Sequence, residues 1–282
     1  MIYTSILGTG SYLPEKILTN DELSTFVDTS DEWIFSRAGI KQRHMAAPDE
    51  TSSSMALEAS KKALEAANIS ADQIQLIIVA TCTPDRIFPS TACLLQEKLG
   101  IKDVIAFDVS AACSGFIYAL SVADQFIRNG SVTRALVIGS EVMSRVMNWK
   151  DRNTCVLFGD GAGAVVIGAS NKPGIHSTHL HADGHLKDIL FLPNDMAAPN
   201  LTVDTPYLHM QGKEVFKVAV NSLGQVAQEA VENNGATHAD IDWLVPHQAN
   251  IRIIEATAKK LNLPMSKVIL TVANQGNSSA AS

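Results

Sequence analysis

One of the four cysteines, Cys113, lies where an apolar segment ends and a helix-like segment begins. The apolar segment covers residues 103–109, and the helix-like segment covers residues 111–120. The first turn of a helix offers unpaired N–H groups and the positive end of the helix dipole, and both favour a thiolate over a thiol. A thiolate at this position can attack a carbonyl or thioester carbon. A free cysteine is more often a small buried apolar residue, so the catalytic interpretation depends on partners for Cys113.

Two polar residues far along the chain, His247 and Asn277, occupy comparable positions. His247 follows the short apolar segment 242–245, and Asn277 follows the segment 267–272. Active sites of α/β proteins collect in the loops where strands end. A cysteine, a histidine and an asparagine from three such loops can therefore form one site, although a fold is needed to bring them together.

The elements that must position these residues alternate between helices and strands, a pattern typical of a layered α/β protein. Helices are predicted at residues 52–68, 90–99, 111–130, 213–234 and 251–261. Strands are predicted at residues 75–81, 103–109, 134–139, 162–168, 242–245 and 267–272. A less regular stretch begins near residue 171. We expect it to divide the chain into an N-terminal half, residues 1–170, with Cys113, and a C-terminal half, residues 171–282, with His247 and Asn277.

The composition is that of a compact enzyme of a reducing compartment. The 282 residues are 46% hydrophobic, enough to bury a large core. The cysteines at positions 82, 93, 113 and 155 show neither CxxC spacing nor the density of a disulfide scaffold. A net charge of −7 argues against nucleic acid as a partner. The N-terminus lacks a signal-peptide pattern, and no apolar run approaches the ~20 residues that span a bilayer, so we expect a cytoplasmic protein.

The glycine-rich sequence GDGAG at residues 159–163 invites a nucleotide-binding interpretation, because glycines let main-chain N–H groups approach a phosphate. A dinucleotide-binding loop must open a helix, whereas residues 164–168 are largely β-branched and predict a strand. We therefore predict a tight turn between two core strands at this position.

A histidine-rich stretch could suggest a zinc or copper site, since it contains His176, His179, His181 and His185. No cysteine or carboxylate cluster completes a recognisable ligand set around them. We predict histidines of loops or strand edges and no metal site.

Six stretches spread over the whole chain form a specific combination. They are GTGSYLP at residues 8–14, DEWIFSRAGIKQR at 31–43, DVSAACSGF at 108–116, FGDGAGA at 158–164, PHQAN at 246–250 and GNSSAAS at 276–282. In this order they resemble the β-ketoacyl-acyl-carrier-protein synthase III family. The resemblance implies a thiolase-like fold, with two similar α/β halves in a layered α-β-α-β-α architecture. It also implies an acyltransferase that starts type II fatty acid synthesis by condensing a short acyl-CoA, usually acetyl-CoA, with malonyl-acyl-carrier protein.

The resemblance implies a ping-pong mechanism in which Cys113 first takes the acyl group from acyl-CoA. Malonyl-carrier protein then loses CO₂ to give a thioester enolate, which attacks the carbonyl of the acyl-Cys113. His247 and Asn277 are the implied hydrogen-bond donors to the enolate oxygen. Neither a metal nor a redox cofactor is implied, since acyl-CoA is a substrate.

By the same resemblance, Trp33, Arg37 and Arg152 are expected to bind CoA, with an indole and a guanidinium flanking the adenine and cations holding phosphates. Lys213 stands where many family members have asparagine, which leaves its CoA contact open. Phe88 matches a position that reaches across the dimer to close the acyl pocket. The resemblance therefore implies a homodimer and a short acyl primer, and ordinary interface packing of Phe88 is the alternative.

Carrier proteins are acidic, so a basic patch beside the substrate tunnel is expected even on an acidic enzyme. Arg252, Lys259 and Lys260 lie at i, i+7 and i+8 of the predicted helix 251–261, which places them on one face. The resemblance assigns carrier-protein docking to the Arg252 position. For the two lysines, a solvated helix face is the alternative.

Family members continue beyond the position of Ser282 through a helix and two strands, including a glycine-rich turn that supplies an oxyanion donor. We therefore expect an incomplete C-terminal end that affects stability or activity. Two alternatives stay open: a related CoA condensing enzyme, and a noncatalytic acyl-CoA or carrier-protein binding module. A thiolase needs a second cysteine in its C-terminal part, and no cysteine follows Cys155. An elongating synthase has a second histidine where Asn277 stands.

Overall fold

The computed structural model describes residues 2–194 and 206–282 of the chain. Its strands are β1 (Tyr3–Tyr12), β2 (Lys16–Thr19), β3 (Gln42–Met45), β4 (Leu76–Ala80), β5 (Ile105–Val109), β6 (Arg134–Val142), β7 (Asp160–Ser170), β8 (Leu190–Phe191) and β9 (His209–Met210). Its α-helices are α1 (Asn20–Leu23), α2 (Asp31–Ala38), α3 (Ser52–Ala67), α4 (Thr91–Lys98), α5 (Gly115–Arg128), α6 (Gly212–Asn233), α7 (Ile251–Lys260) and α8 (Val272–Gln275). None of the described helices is long and apolar enough to cross a membrane.

Five strands form one mixed sheet in the order β1-β7-β6-β4-β5. Strand β4 runs parallel to both β5 and β6, whereas β7 runs antiparallel to β1 and β6. Strand β2 pairs with β3 and β8 pairs with β9, both antiparallel. Because β4, β5 and β6 are parallel, their carboxyl ends lie at the same edge of the sheet, and Cys113 follows the end of β5.

Helices cover both faces of this sheet, which explains why its central strand β4 is an unbroken apolar run. Successive side chains of a strand point to opposite faces. Ile77 and Val79 pack in the cluster that includes α3, whereas Leu76 and Ile78 pack in the cluster that includes α5. All four are fully buried. The α/β class predicted from the alternation of helices and strands is confirmed.

Local capping signals set the helix boundaries. Helix α3 begins after Thr51, which forms a capping box with Ser54, and it ends at Asn68 in the left-handed conformation. Helix α4 begins after Ser90, whose side chain caps its first turn, and Gly100 with a φ of 71° follows its end. These helices, together with α6 and α7, form at almost the predicted bounds.

The glycine-rich stretch 159–163 does not form the predicted turn. All of it except Gly159 belongs to β7, which begins at Asp160 and pairs with β1 on one side and with β6 on the other. Its small residues let neighbouring segments approach, since a Cβ added at Gly159 would lie 2.9 Å from the Cβ of Arg43. The prediction was wrong because pairing on both sides overrides the local preference of glycine for turns.

The two strands predicted before His247 and Asn277 are not formed as ladders. The segments meet in an isolated parallel bridge between Leu244 and Val268. The N–H of Leu244 donates to the Lys267 oxygen at 2.9 Å. The chain leaves the extended conformation on both sides of Val268, in a 3-10 turn before it and in α8 after it. The apolar, β-branched pattern therefore predicted that the two segments lie side by side. It did not predict that they share only one bridge, which is too few paired residues to form strands.

Arg43 in β3 is a fully buried cation, and no carboxylate among the described residues pairs with it. Its guanidinium donates to the main-chain oxygens of Leu18 at 3.0 Å and Val156 at 2.7 Å. It also donates to the side-chain oxygen of Asn20 at 2.9 Å. Burial lowers the pKa of Arg43 to about 10. The bond to Val156 matters for the site, because residues 157–159 pair with the loop that carries a candidate catalytic residue.

We expect Arg43→Met to lower the free energy of unfolding by roughly 3 kcal/mol, because it leaves three buried oxygens without a donor. Urea denaturation measures this change. Arg145→Met is the matched control, since Arg145 likewise donates to three oxygens, all of them main-chain, but is exposed, where water can replace the lost bonds. An equal decrease in the free energy of unfolding in both variants would contradict the expectation that the buried hydrogen bonds of Arg43 stabilise the fold more than the exposed ones of Arg145.

Candidate active site

Cys113 lies in a short 3-10 turn, Ala112–Ser114, between β5 and α5. Ala112 has a φ of 45°, a strained conformation for a residue with a side chain. The turn holds Cys113 ahead of the helix, whose N-cap is Ser114. The strand-to-helix position predicted for Cys113 is therefore observed, but the residue precedes the helix instead of forming its first turn.

His247 lies in the loop that leads into α7. Its Nδ1 lies 2.8 Å from the main-chain oxygen of Ser282. Because this oxygen can only accept a hydrogen bond, Nδ1 carries a proton and is the donor. The other ring nitrogen, Nε2, is buried and has no hydrogen-bond partner among the described residues. Nε2 is thus the ring atom that remains available to a substrate.

Gln248, which is buried next to His247, ties two loops of the site together. Its amide oxygen accepts from the N–H groups of Thr271 at 2.8 Å and Val272 at 3.1 Å. Its NH₂ group donates to the Ile269 oxygen at 3.1 Å. The loop of His247 is therefore fixed to the segment that precedes the third candidate residue.

Asn277 is buried and is held through both its main chain and its side chain. Its N–H donates to the Leu157 oxygen at 2.9 Å, and its oxygen accepts from the Gly159 N–H at 3.0 Å, which forms a parallel bridge to Phe158. Its side-chain oxygen accepts from the Ser279 N–H at 2.8 Å. Because this bond fixes the oxygen end of the amide, the NH₂ group is the end left to donate.

The structure brings the three side chains into one cavity of about 800 Å³, lined by Cys113, His247 and Asn277 together with Trp33 and Arg37. A cavity of this size is typical of small-molecule and cofactor sites. The three come from loops far apart in the sequence, so the fold alone accounts for their proximity. Their catalytic roles stay predictions.

The Cys113 thiol and the His247 imidazole shift each other's protonation. Burial raises the pKa of Cys113, but the neighbouring His247 outweighs it and holds the pKa of the thiol below its ordinary value. Burial likewise opposes protonation of His247, but Cys113 and the Ser282 oxygen keep the pKa of the imidazole above its ordinary value. The pair therefore favours a thiolate beside an imidazolium. The sequence pointed to the helix terminus as the cause, whereas the structure provides a charged partner.

Sequence reasoning missed Glu141, which lies in β6 and acts electrostatically on Cys113. Its fully buried carboxylate accepts from the hydroxyls of Thr83 at 2.6 Å and Thr81 at 3.2 Å. It also accepts from the N–H groups of Cys82 and Thr83. Burial raises the pKa of Glu141, against the lowering effect of these donors. A carboxylate at the end of a largely apolar strand was the available signal, because buried charges need partners.

Trp33 lines the cavity and is flanked by two arginines. The guanidinium carbons of Arg37 and Arg152 lie 4.4 and 5.0 Å from the centroid of its ring. Arg152 also donates to the main-chain oxygen of Asp28 at 3.0 Å. Lys213 is among the residues that line the same cavity. The three residues predicted to bind CoA thus form one group, in which both guanidiniums are stacked on the indole.

Phe88 lies away from this cavity, and its side chain is 83% exposed. The neighbouring Ile87 is exposed as well. A role for Phe88 in closing the acyl pocket of a second copy stays a prediction.

The basic residues of α7 are all exposed but point in different directions. Arg252 lines the cavity, and its guanidinium lies 5.6 Å from the ring of Phe216. Lys260 instead reaches towards α6, where its Nζ lies 3.4 Å from the side-chain oxygen of Asn221. Lys259 does not line the cavity and instead borders a separate surface depression. Of the three, Arg252 is therefore the residue positioned to meet a ligand that enters the cavity.

The histidine-rich stretch makes contacts with α6. Glu229 lies 2.6 Å from Nε2 of His181 and 3.3 Å from Nδ1 of His179. Within residues 2–194 and 206–282, no group of three side chains is arranged to hold a metal ion.

Two family models match the chain. The one described as 3-oxoacyl-[acyl-carrier-protein (ACP)] synthase III matches residues 107–184, and its C-terminal counterpart matches residues 231–282. A β-ketoacyl-[acyl-carrier-protein] synthase III of Methylococcus capsulatus is 59% identical over 280 residues, which cover 99% of this chain and 87% of that protein. The protein of the same name in Alkalilimnicola ehrlichii is 59% identical over 285 residues, which cover 100% of this chain and 88% of that protein.

Solved structures agree with these matches. The 3-oxoacyl-[acyl-carrier-protein] synthase III of Aquifex aeolicus is 50% identical, with a TM-score of 0.93 over 99% of this chain and 87% of that chain. The Thermus thermophilus enzyme is 42% identical, with a TM-score of 0.94 over the same shares. The fold is therefore the thiolase-like α/β fold that the sequence resemblance implied. The chain belongs to the β-ketoacyl-acyl-carrier-protein synthase III family of condensing acyltransferases.

Proposed function

We propose that this chain condenses a short acyl-CoA, with acetyl-CoA as the preferred candidate, with malonyl-acyl-carrier protein. The reaction is a decarboxylative Claisen condensation that gives a 3-ketoacyl-carrier protein and initiates type II fatty acid synthesis. The observation that carries the proposal is the meeting of Cys113, His247 and Asn277 in one cavity, where the thiol pKa is lowered and the imidazole pKa is raised. The names of the relatives support an acyl-carrier protein as a substrate.

In the first half-reaction, the Cys113 thiolate attacks the thioester carbon of acyl-CoA, CoA leaves, and an acyl-Cys113 thioester forms. The neighbouring His247 supports this step because it lowers the pKa of the Cys113 thiol and so increases the fraction of thiolate. Trp33, Arg37 and Arg152 hold CoA, with the cations facing phosphates. For the indole and a guanidinium to flank adenine, that guanidinium must move away from the indole ring, which both arginines contact in this structure.

In the second half-reaction, the bond between the malonyl carboxylate and its neighbouring carbon breaks, CO₂ leaves, and the electron pair forms an enolate. The enolate oxygen accepts hydrogen bonds from Nε2 of His247 and from the NH₂ group of Asn277. Since Nδ1 of His247 already donates to the Ser282 oxygen, Nε2 bears a proton only in the imidazolium. Donation by Nε2 in this step therefore requires that the imidazolium formed beside the free Cys113 thiolate keeps its proton when Cys113 is acylated. The enolate carbon then attacks the acyl-Cys113 carbonyl and expels the thiolate.

The same proposal includes the partners and the setting of the reaction. Arg252, exposed on α7 and lining the cavity, docks the acidic carrier protein, with Lys259 and Lys260 contributing charge nearby. Two copies form a homodimer in which the exposed Phe88 of one closes the acyl pocket of the other. The enzyme works in the cytoplasm. A thiolate and two hydrogen-bond donors account for each step, so the chemistry needs neither a metal nor a redox cofactor.

Intact-protein mass spectrometry after mixing with acetyl-CoA tests the first half-reaction. We expect an acetyl adduct in the wild type, none in Cys113→Ala, and loss of the adduct with release of a 3-ketoacyl product once malonyl-carrier protein is added. Cys155→Ala is the matched control and should keep the adduct, since Cys155 is buried outside the cavity lining. An adduct in Cys113→Ala would contradict the nucleophile assignment, and a folded wild type without an adduct would contradict acetyl-CoA as the primer.

We expect Asn277→Ala to slow decarboxylation of malonyl-carrier protein about 100-fold, because one donor to the enolate oxygen is lost. Acetyl loading of Cys113 should stay within a few fold of wild type. Release of labelled CO₂ and adduct formation measure the two steps separately. Asn274→Ala, at an exposed position three residues away, is the matched control. Equal losses in both steps would sink the assignment of Asn277 to the second half-reaction.

We expect Arg252→Glu to raise the apparent KM for malonyl-carrier protein about tenfold, because it places a negative charge against an acidic partner. Loading from acetyl-CoA should be unchanged. Steady-state kinetics with each substrate varied in turn measure the difference. Lys61→Glu, the same charge reversal on the exposed face of α3, is the control. A similar KM change in both variants would point to net charge in place of docking at Arg252.

A further inference from the structure

The loop of residues 86–89, between β4 and α4, presents two large apolar side chains to solvent. Ile87 is 67% exposed, and Phe88 is 83% exposed, the highest value among the large apolar side chains of residues 2–194 and 206–282. Within this described part of the chain, residues 86–89 form no hydrogen bond of their own. The position of Phe88 therefore depends on how the two ends of the loop are held.

An aspartate holds each end of the loop to the beginning of a helix. On one side, Asp85 accepts from the N–H of Ser53 at 2.8 Å and from its hydroxyl at 2.6 Å, in the first turn of α3. On the other side, Asp108 of β5 accepts from the first two N–H groups of α4 at 2.7 and 2.8 Å. The N–H groups of a first helical turn lack helical partners, and the helix dipole favours a carboxylate beside them. The loop is thus anchored on both sides of Phe88.

Asp85 is the anchor that is independent of the active site. Neither Asp85 nor Ser53 lines the cavity, whereas Asp108 lies in the strand that leads to Cys113. Ser53 is fully buried, so its two bonds to Asp85 are shielded from competing water. A change at Asp85 therefore alters the hold on the loop without touching the residues around Cys113.

We infer that Asp85 is a positioning residue that determines which acyl primers the enzyme accepts, because it holds Phe88 in a fixed place. The inference rests on the proposed function, in which Phe88 of one copy closes the acyl pocket of the other. A side chain that closes a pocket excludes longer acyl groups only if it cannot give way. A loop anchored at both ends meets that condition, and a loop released at one end admits longer chains.

The strand beside the loop supports a second copy as the partner of Phe88. Strand β5, which carries Asp108, is at the end of the five-stranded sheet and pairs only with β4 among the described strands. Its outer edge leaves main-chain N–H and C=O groups open to pairing with another chain. The exposed apolar loop and this edge therefore lie side by side on one surface.

Intact-protein mass spectrometry tests the inference by comparing the loading of Cys113 from acetyl-CoA with that from hexanoyl-CoA. We expect Asp85→Ala to lower the ratio of acetyl to hexanoyl loading about tenfold, in the same direction as Phe88→Ala, which removes the closing side chain itself. Asp85→Asn should keep the wild-type ratio. Its amide oxygen can accept from the N–H of Ser53, and its NH₂ group can donate to the hydroxyl.

Thr51→Ala is the matched control, since Thr51 caps the same turn of α3 without a bond to the loop. It should lower the melting temperature, as Asp85→Ala does, and keep the wild-type ratio. Ser53→Ala removes one of the two bonds to Asp85, so it should change the ratio in the same direction by a smaller factor, and it decides the question if Asp85→Ala folds poorly.

A wild-type ratio in both Asp85→Ala and Ser53→Ala, with a changed ratio in Phe88→Ala, would overturn the role of Asp85 and leave the proposed function intact. An equal change in Thr51→Ala would also overturn it, because damage to α3 would then explain the effect. A wild-type ratio in Phe88→Ala would contradict the proposed closure of the acyl pocket by Phe88 and, with it, primer selection through Asp85.

Discussion

The mutual effect of Cys113 and His247, which lowers the pKa of the thiol and raises the pKa of the imidazole, sets the requirements for the rest of the structure. A thiolate or an imidazolium alone would be unfavourable away from bulk water, so each depends on the position of the other. The two residues come from distant loops, one after β5 and one before α7. The fold must therefore fix these loops relative to each other. Packing of apolar side chains is not directional, so it cannot by itself orient the thiol and the imidazole towards each other.

Hydrogen bonds of the main chain and of buried polar side chains orient these loops. Arg43 holds the Val156 carbonyl, and the residues that follow pair with Asn277. Gln248 joins the loop of His247 to the segment before α8. These groups act by positioning the reacting side chains, and their burial makes each bond costly to lose. The site is thus a continuation of the hydrogen-bonded core.

The sequence predicted the parts of the fold that depend on local signals. Helix α3 has its own caps, and β4 is apolar enough to require cover on both faces. The candidate triad was also accessible, because its members follow apolar segments and lie in recognisable motifs. What could not be predicted depends on tertiary neighbours: the glycines at residues 159–163 became strand because both edges are paired, and the segments at 242–245 and 267–272 found only one bridge. The electrostatic effect of Glu141 on Cys113 likewise depends on their proximity in the fold, although a carboxylate in a buried strand was a signal that it needs partners.

The contact between Gly139 and Ala280 limits how this protein can change. At that point the middle of the sheet touches Ser279–Ala281, a 3-10 turn behind the active site, and there is room for a hydrogen atom but not for a methyl group. A larger residue at position 139 must displace the turn that carries Ser279 and, through its N–H, the amide of Asn277. Substitutions in this part of the sheet and in the turn behind the active site are consequently coupled. A redesign that repacks the sheet for stability must therefore keep glycine at position 139, or it must also redesign the turn at residues 279–281.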